Sequence, residues 1–168
     1  MKENINTEQD INKEYVLNFN INSSFIDLKR YYDMILNLDK KTYKTSNDEP
    51  TPIDCVMEMV KKVPDELWQR KDLKILDPCC GNGNFFVPIF YHLLKFYDKK
   101  YILENILNFN DINDERLKNV RNVFNSGNYN LNITCNDFIK FIDKFPKIGI
   151  KLTKQNKNLY NNLIIKNK

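Results

Sequence analysis

The sequence predicts an α/β fold built on a parallel sheet, and three observations carry that expectation. Short apolar runs at residues 73–77, 105–111 and 131–137 are strand-like, and each ends in an aspartate. Helical patterns lie between them, beginning near Gly83, near Asp114 and, more briefly, near Asp137. Two glycines, Gly81 and Gly83, stand in the turn after the first run. Strand alternating with helix at this spacing calls for right-handed βαβ units, whose strands run parallel.

Along the chain, residues 1–22 are polar and Asn-rich and read as a disordered leader. Residues 23–48 form a helical segment and a loop. Phe25, Leu28, Tyr32 and Ile35 fall at three- and four-residue steps, with Ser23 or Ser24 as N-cap. The polar run at residues 40–50 is the loop. Residues 49–168 form the third unit, a ligand-binding domain. Its first helix opens at Thr51-Pro52, with Thr51 as cap and Pro52 in the first helical position, where a missing N–H does no harm. Ile53, Val56, Met57, Val60 and Val63 make the apolar stripe, and Pro64 ends it. A last apolar run at residues 162–166 is a candidate fourth strand, and the chain stops two residues later. No internal repeat is visible.

Composition narrows the function classes. The 168 residues are 42% hydrophobic and 12% aromatic, enough to build a single core. A net charge of +4 suits nucleic acid without demanding it. Asparagine and lysine are abundant throughout, as expected of an AT-rich genome. The four cysteines, Cys55, Cys79, Cys80 and Cys135, lack zinc-ribbon spacing, and His92 is the only histidine. They read as reduced thiols in a cytoplasmic protein. The start has no basic region followed by an apolar run, and no stretch approaches the roughly 20 apolar residues that cross a bilayer.

The most informative stretch follows the first strand: Asp77, Pro78, Cys79, Cys80, Gly81, Asn82, Gly83, Asn84, Phe85. In open α/β sheets the ligand lies outside the carboxyl ends of the strands, where such a loop sits. A dinucleotide site would carry a third glycine where Phe86 stands, and a phosphate loop would carry a Lys followed by Ser or Thr. Neither is present, which disfavours a nicotinamide-dependent oxidoreductase. A carboxylate at Asp77 suits an ammonium better than a pyrophosphate. The competing structural role is an Asp-capped strand-to-helix turn.

This loop resembles motif I, DPxCGxGxF, of the S-adenosylmethionine-dependent DNA amino-methyltransferases, with Cys79 in place of the usual small residue. The resemblance implies that Asp77, Pro78, Cys79, Gly81, Gly83 and Phe85 surround the cofactor. Three further stretches resemble the family's motifs, so that the likeness spans residues 49–141. Thr51-Pro52 is similar to the start of motif X, beside the methionine end of the cofactor. Asp111 and Ile112 look like motif II, implying ribose hydroxyls on the carboxylate and adenine against Ile112. Asp137 and Phe138 look like motif III, implying contacts to the adenine amine and ring. Helix capping is the competing role for Asp111 and for Asp137.

The family's catalytic motif, (N/D)PP(Y/F), follows its fourth strand. Aligned on Ile164 and Ile165, Asn167 falls on the amide position and is the one catalytic candidate, while Lys168 stands where the first proline belongs. The resemblance therefore implies a Rossmann-like methyltransferase sheet, incomplete, with its first three to four strands, truncated near the catalytic motif and preceded by a helical segment. The implied activity is methyl transfer from S-adenosylmethionine to the exocyclic amine of adenine in DNA, of the restriction-modification type. DNA is the expected partner, with a second polypeptide to complete the catalytic and target-recognition parts, no membrane and no metal. Lysines 140, 144, 147, 151, 154 and 157 give the last third a basic surface suited to phosphates, or simply a solvated one. The rivals are an RNA or protein-glutamine methyltransferase and a silent cofactor-binding fragment.

Overall fold

A computed structural model describes residues 19–38, 49–125 and 127–141. Within them the first helix, α1 (Phe25–Met34), begins as the sequence predicts. Ser24 is its N-cap, and the hydroxyl accepts the Asp27 N–H at 3.2 Å. Leu28 and Tyr32 are fully buried, and a 3₁₀ turn (Leu36–Leu38) follows. Residues 19–22, which the sequence assigns to the leader, are part of the packed structure. Ile21 is 2% exposed, and its N–H donates to the Val123 carbonyl at 3.0 Å. One apolar side chain and one backbone bond draw residues 19–22 onto the core, a long-range pairing that composition does not reveal.

The next helix, α2 (Ile53–Lys62), starts one residue later than Thr51-Pro52 predicts. Pro52 is extended (φ −58°, ψ 139°) and serves as the flanking residue; its carbonyl accepts the Val56 N–H at 3.2 Å. No side chain caps the helix. Thr51 is held elsewhere, because its carbonyl accepts from the Asn84 amide at 3.0 Å. Ile53, Val56 and Val60 are buried, while Lys61 and Lys62 sit in the last turn, favourably placed for the helix dipole. A four-residue helix, α3 (Asp65–Trp68), follows and carries the buried Trp68. It is too short to leave a periodic pattern.

The remainder is α/β. Strand β1 (Ile75–Asp77) leads to α4 (Phe86–Leu93), then to a short α5 (Lys99–Tyr101) and a π-helical turn (Ile102–Ile106). Strand β2 (Leu107–Asp111) leads to α6 (Asp114–Phe124), and β3 (Asn132–Cys135) leads to α7 (Phe138–Phe141). The second strand starts two residues later than predicted because its apolar lead-in, including Ile102, Leu103 and Ile106, is wound into the π turn and buried there. Pro88 lies in the first turn of α4, where no intrahelical N–H bond is lost.

The three described strands form one parallel sheet in the order β1-β2-β3, with Leu76 opposite Asn108 and Phe109 opposite Ile133. This is a mixed α/β fold, consistent with part of a Rossmann-like sheet. All five residues of β2 are buried. Phe109 packs edge-on to Phe86, ring centroids 4.4 Å apart, and against Phe124 at 5.1 Å. Those rings bolt α4 and α6 to the strand, so the loops after β1 and β2 leave the sheet from a fixed base. The candidate fourth strand lies outside the described residues. No helix among the described residues is long and apolar enough to cross a membrane.

Candidate functional site

The loop from Asp77 to Phe85 is shaped by backbone bonds to the next strand. The Cys80 N–H donates to the Asn110 carbonyl at 2.8 Å, and the Gly81 N–H donates to Asp111 Oδ2 at 2.8 Å. Gly81 and Gly83 have φ of 56° and 89°, the left-handed region that glycine tolerates. Gly83 has a second constraint. A Cβ there would lie 2.9 Å from a Phe124 ring carbon, so this glycine lets the loop pack against α6. It is buried and does not line the adjacent cavity.

Three buried asparagines hold this arrangement. Asn110, fully buried at the end of β2, donates to the Pro78 carbonyl at 2.8 Å and to the Asn136 carbonyl at 3.0 Å. It also accepts the Thr134 hydroxyl at 2.7 Å. One side chain thereby ties together the ends of all three strands. Asn82 donates to the Leu36 carbonyl at 3.0 Å and accepts from Asn119 at 3.0 Å, while its own carbonyl accepts the Tyr32 hydroxyl at 2.7 Å. Asn84 donates to Asn37 and to Thr51. The N-terminal helix and its 3₁₀ turn are thus hydrogen-bonded to the glycine loop.

Beside the loop lies a cavity of about 120 Å³. Of the residues predicted for the site, Thr51, Asp77, Cys79, Gly81 and Phe85 line it. Glu49, Pro50, Cys80, Asn84 and Arg116 complete the lining, and none of these five is among the predicted site residues. Arg116 sits on α6 with its guanidinium 3.9 Å from Asp111 Oδ2; the Asp111 side chain is buried and that of Arg116 partly so. Its place five residues after Asp111 is the only signal the sequence offers, and that is indistinguishable from an ordinary helix-surface charge.

The other predicted residues stand apart from the cavity or behind it. Pro52 is exposed at the start of α2, and Pro78 serves through its carbonyl. Asp111 is 2% exposed; Oδ1 accepts the Asn113 N–H at 2.8 Å while Oδ2 holds Gly81. It therefore offers almost no surface to a ribose, and its visible role is to fix the loop. Ile112 is 71% exposed. Asp137 caps α7, accepting the Ile139 N–H at 3.0 Å and pairing with Lys140 at 3.3 Å. Phe138 is half-buried. Asn167 and the lysines from 144 onward lie outside the described residues.

The field at the strand ends is negative. Burial raises the Asp77 pKa above the usual carboxylate value, the Cys79 N–H at 3.1 Å opposes this, and the Asp111 charge adds to it. Burial also raises the Cys79 thiol, and Asp111, Asp77 and Asp137 all push it further, with Arg116 opposing. The Cys80 thiol is driven well above its ordinary value by burial and by Asp77 and Asp111. Both thiols stay protonated, which disfavours thiolate chemistry. For Asp137, burial is outweighed by the Lys140 and Ile139 bonds, and its pKa falls. A cation beside Asp77 would favour its charged form and offset the burial that raises its pKa.

A stability test follows from the sign of the Asp77 shift. With a folded pKa above 3.8, its contribution is full below 3.8 and is lost as pH rises through the folded value. Asp77→Asn is therefore expected to raise the Tm of the ligand-free chain at neutral pH. The difference should vanish in acid below the ordinary carboxylate range, as thermal melts across that window would show.

A larger groove, about 240 Å³, lies elsewhere, between α1, α2 and α4. Phe25, Met57, Val60, Pro88 and Tyr91 give it apolar walls, and none of the strand-end carboxylates reaches it. Among the described residues no cluster of His, Cys, Asp or Glu would hold a metal ion. No known protein family matches the chain, and no curated protein matches it.

Proposed function

We propose that the chain binds S-adenosylmethionine at the strand ends and belongs to a methyltransferase acting on the exocyclic amine of adenine in DNA. The observation that carries this reading is Asp77, a carboxylate of raised pKa lining a cavity beneath a positive-φ glycine, with Asp111 bonded behind that glycine. Such a pocket favours a cation and admits close approach of a ligand to bare backbone. The sulfonium cofactor with its ammonium matches that charge; a pyrophosphate does not.

The size of the cavity divides the ligand. Sites for whole ligands run to about 300–1,000 Å³, so about 120 Å³ encloses one end only. In this reading the amino-acid end enters beside Asp77 and Phe85, and the nucleoside lies outside, towards the exposed Ile112. When bound, the cofactor supplies an electrophilic methyl group. The chain's own part is to hold the cationic end, to exclude water from it through Phe85 and to keep the neighbouring thiols protonated. The acceptor base must be taken out of its stack to reach the methyl.

Titration calorimetry of the full chain tests this. S-adenosylmethionine is expected to bind, NAD to give no heat, and Asp77→Ala to weaken the cofactor by about tenfold or more, the scale of a lost bond to a charged group. No binding by the intact, folded chain would refute the reading. Tritiated cofactor offered with DNA, RNA and protein separates the acceptors, and label in RNA or protein alone would overturn DNA.

A further inference from the structure

The strand-end cavity is lined by charges of both signs. Asp77 and Glu49 bring carboxylates, and Arg116 brings a cation. Arg116 stands in the first turn of α6, and helical side chains lean towards the N-terminus of their helix, here towards the strand ends. Its guanidinium lies 3.9 Å from Asp111 Oδ2, and that same oxygen accepts the Gly81 N–H at 2.8 Å. One oxygen thus places the charged tip beside the loop backbone that lines the cavity. The charge of that tip also bears on the Cys79 thiol, another lining group. The Arg116 side chain keeps 11% of its surface exposed where Asp111 keeps 3%, so the arginine is the more accessible member of the pair.

Partial burial costs a guanidinium some of its hydration. Asp111 offsets part of that cost, at a distance longer than a hydrogen bond. A guanidinium carries five N–H donors in a planar fork, a shape that matches a carboxylate. A ligand end that suits the whole lining therefore brings positive charge for Asp77 and a carboxylate for Arg116. We infer that Arg116 is a specificity-determining residue that receives the carboxylate of an α-amino-acid end whose ammonium is held by Asp77. This rests on the cofactor reading above, in which that end belongs to S-adenosylmethionine. Asp77 cannot supply the same selectivity. A sulfonium nucleoside with an ammonium and no carboxylate satisfies the acidic wall and brings nothing to the arginine.

The test is titration calorimetry of the full chain with two ligands, S-adenosylmethionine and its decarboxylated form, which keeps the sulfonium and the ammonium. Wild type is expected to prefer the carboxylate-bearing ligand by about tenfold or more, the scale of a lost bond to a charged group. In Arg116→Ala that preference shrinks by about tenfold, with little change for the decarboxylated ligand. Equal losses for both ligands would show that Arg116 only supports the loop through Asp111, and would overturn the inference while leaving the cofactor reading intact. Equal affinity of wild type for the two ligands would overturn it as well. If wild type binds neither, both readings fall. Should thermal melts show Arg116→Ala unfolded, Arg116→Lys decides, because it keeps the charge and loses the fork. Its preference is expected to fall below that of wild type, and an unchanged preference would overturn the inference.

Discussion

Gly83→Ala is expected to destabilise the chain by about 2–5 kcal/mol, the sum of left-handed backbone strain and overpacking. Both components act at one position. The residue has φ 89°, and its new Cβ would sit 2.9 Å from the Phe124 ring. Phe124 cannot retreat cheaply, being fully buried against Phe109 and Phe90. Tyr32 is also near, its hydroxyl 3.5 Å from the built Cβ, and that hydroxyl is bonded to Asn82. Urea unfolding would measure the loss. A change within about 0.5 kcal/mol, the range of ordinary surface substitutions, would contradict this packing.

Asn110→Leu is expected to cost a comparable amount, about 3–5 kcal/mol, because a similar volume is kept while three bonds vanish. The Pro78 and Asn136 carbonyls and the Thr134 hydroxyl would each lose a partner in a part-buried place. The damage should concentrate where the strands end. Amide exchange in the loops after β1 and β3 is expected to quicken more than in α6, whose core face rests on Leu117, Val120 and Phe124. Uniform loosening of α6 and the loops would instead make Asn110 an ordinary core residue. Paired with Thr134→Val, the double variant should cost less than the two singles added, since they share one bond.

The asparagines carry the sharpest difference between sequence and structure. Their abundance suggests base composition, and along most of the chain that explanation suffices. Yet Asn82, Asn84, Asn108 and Asn110 are four of the five buried polar residues described, Asp111 being the fifth. Each can donate twice and accept, which suits a side chain caught among backbone carbonyls of converging loops. Nothing in their sequence context separates them from their solvent-facing neighbours. Asp111 shows the same limit in another form. Its place at the tip of the second strand was legible, but not its bonds, which go to the Gly81 and Asn113 N–H groups.

What the sequence by itself determined is local and periodic. Alternating apolar runs and helical stripes, the Ser24 cap and the glycine pair after Asp77 follow from rules that act within a few residues. They sufficed for an α/β chain with parallel strands and a loop at their ends. Only the tertiary structure decided which side chains line the cavity, that Gly83 serves packing, that Ile21 joins the core and that Arg116 turns inward. Those outcomes depend on groups tens of residues apart meeting where no water can substitute for a missing hydrogen bond. The partner of a buried amide is chosen by the path of the whole chain, and no short window of residues contains that path.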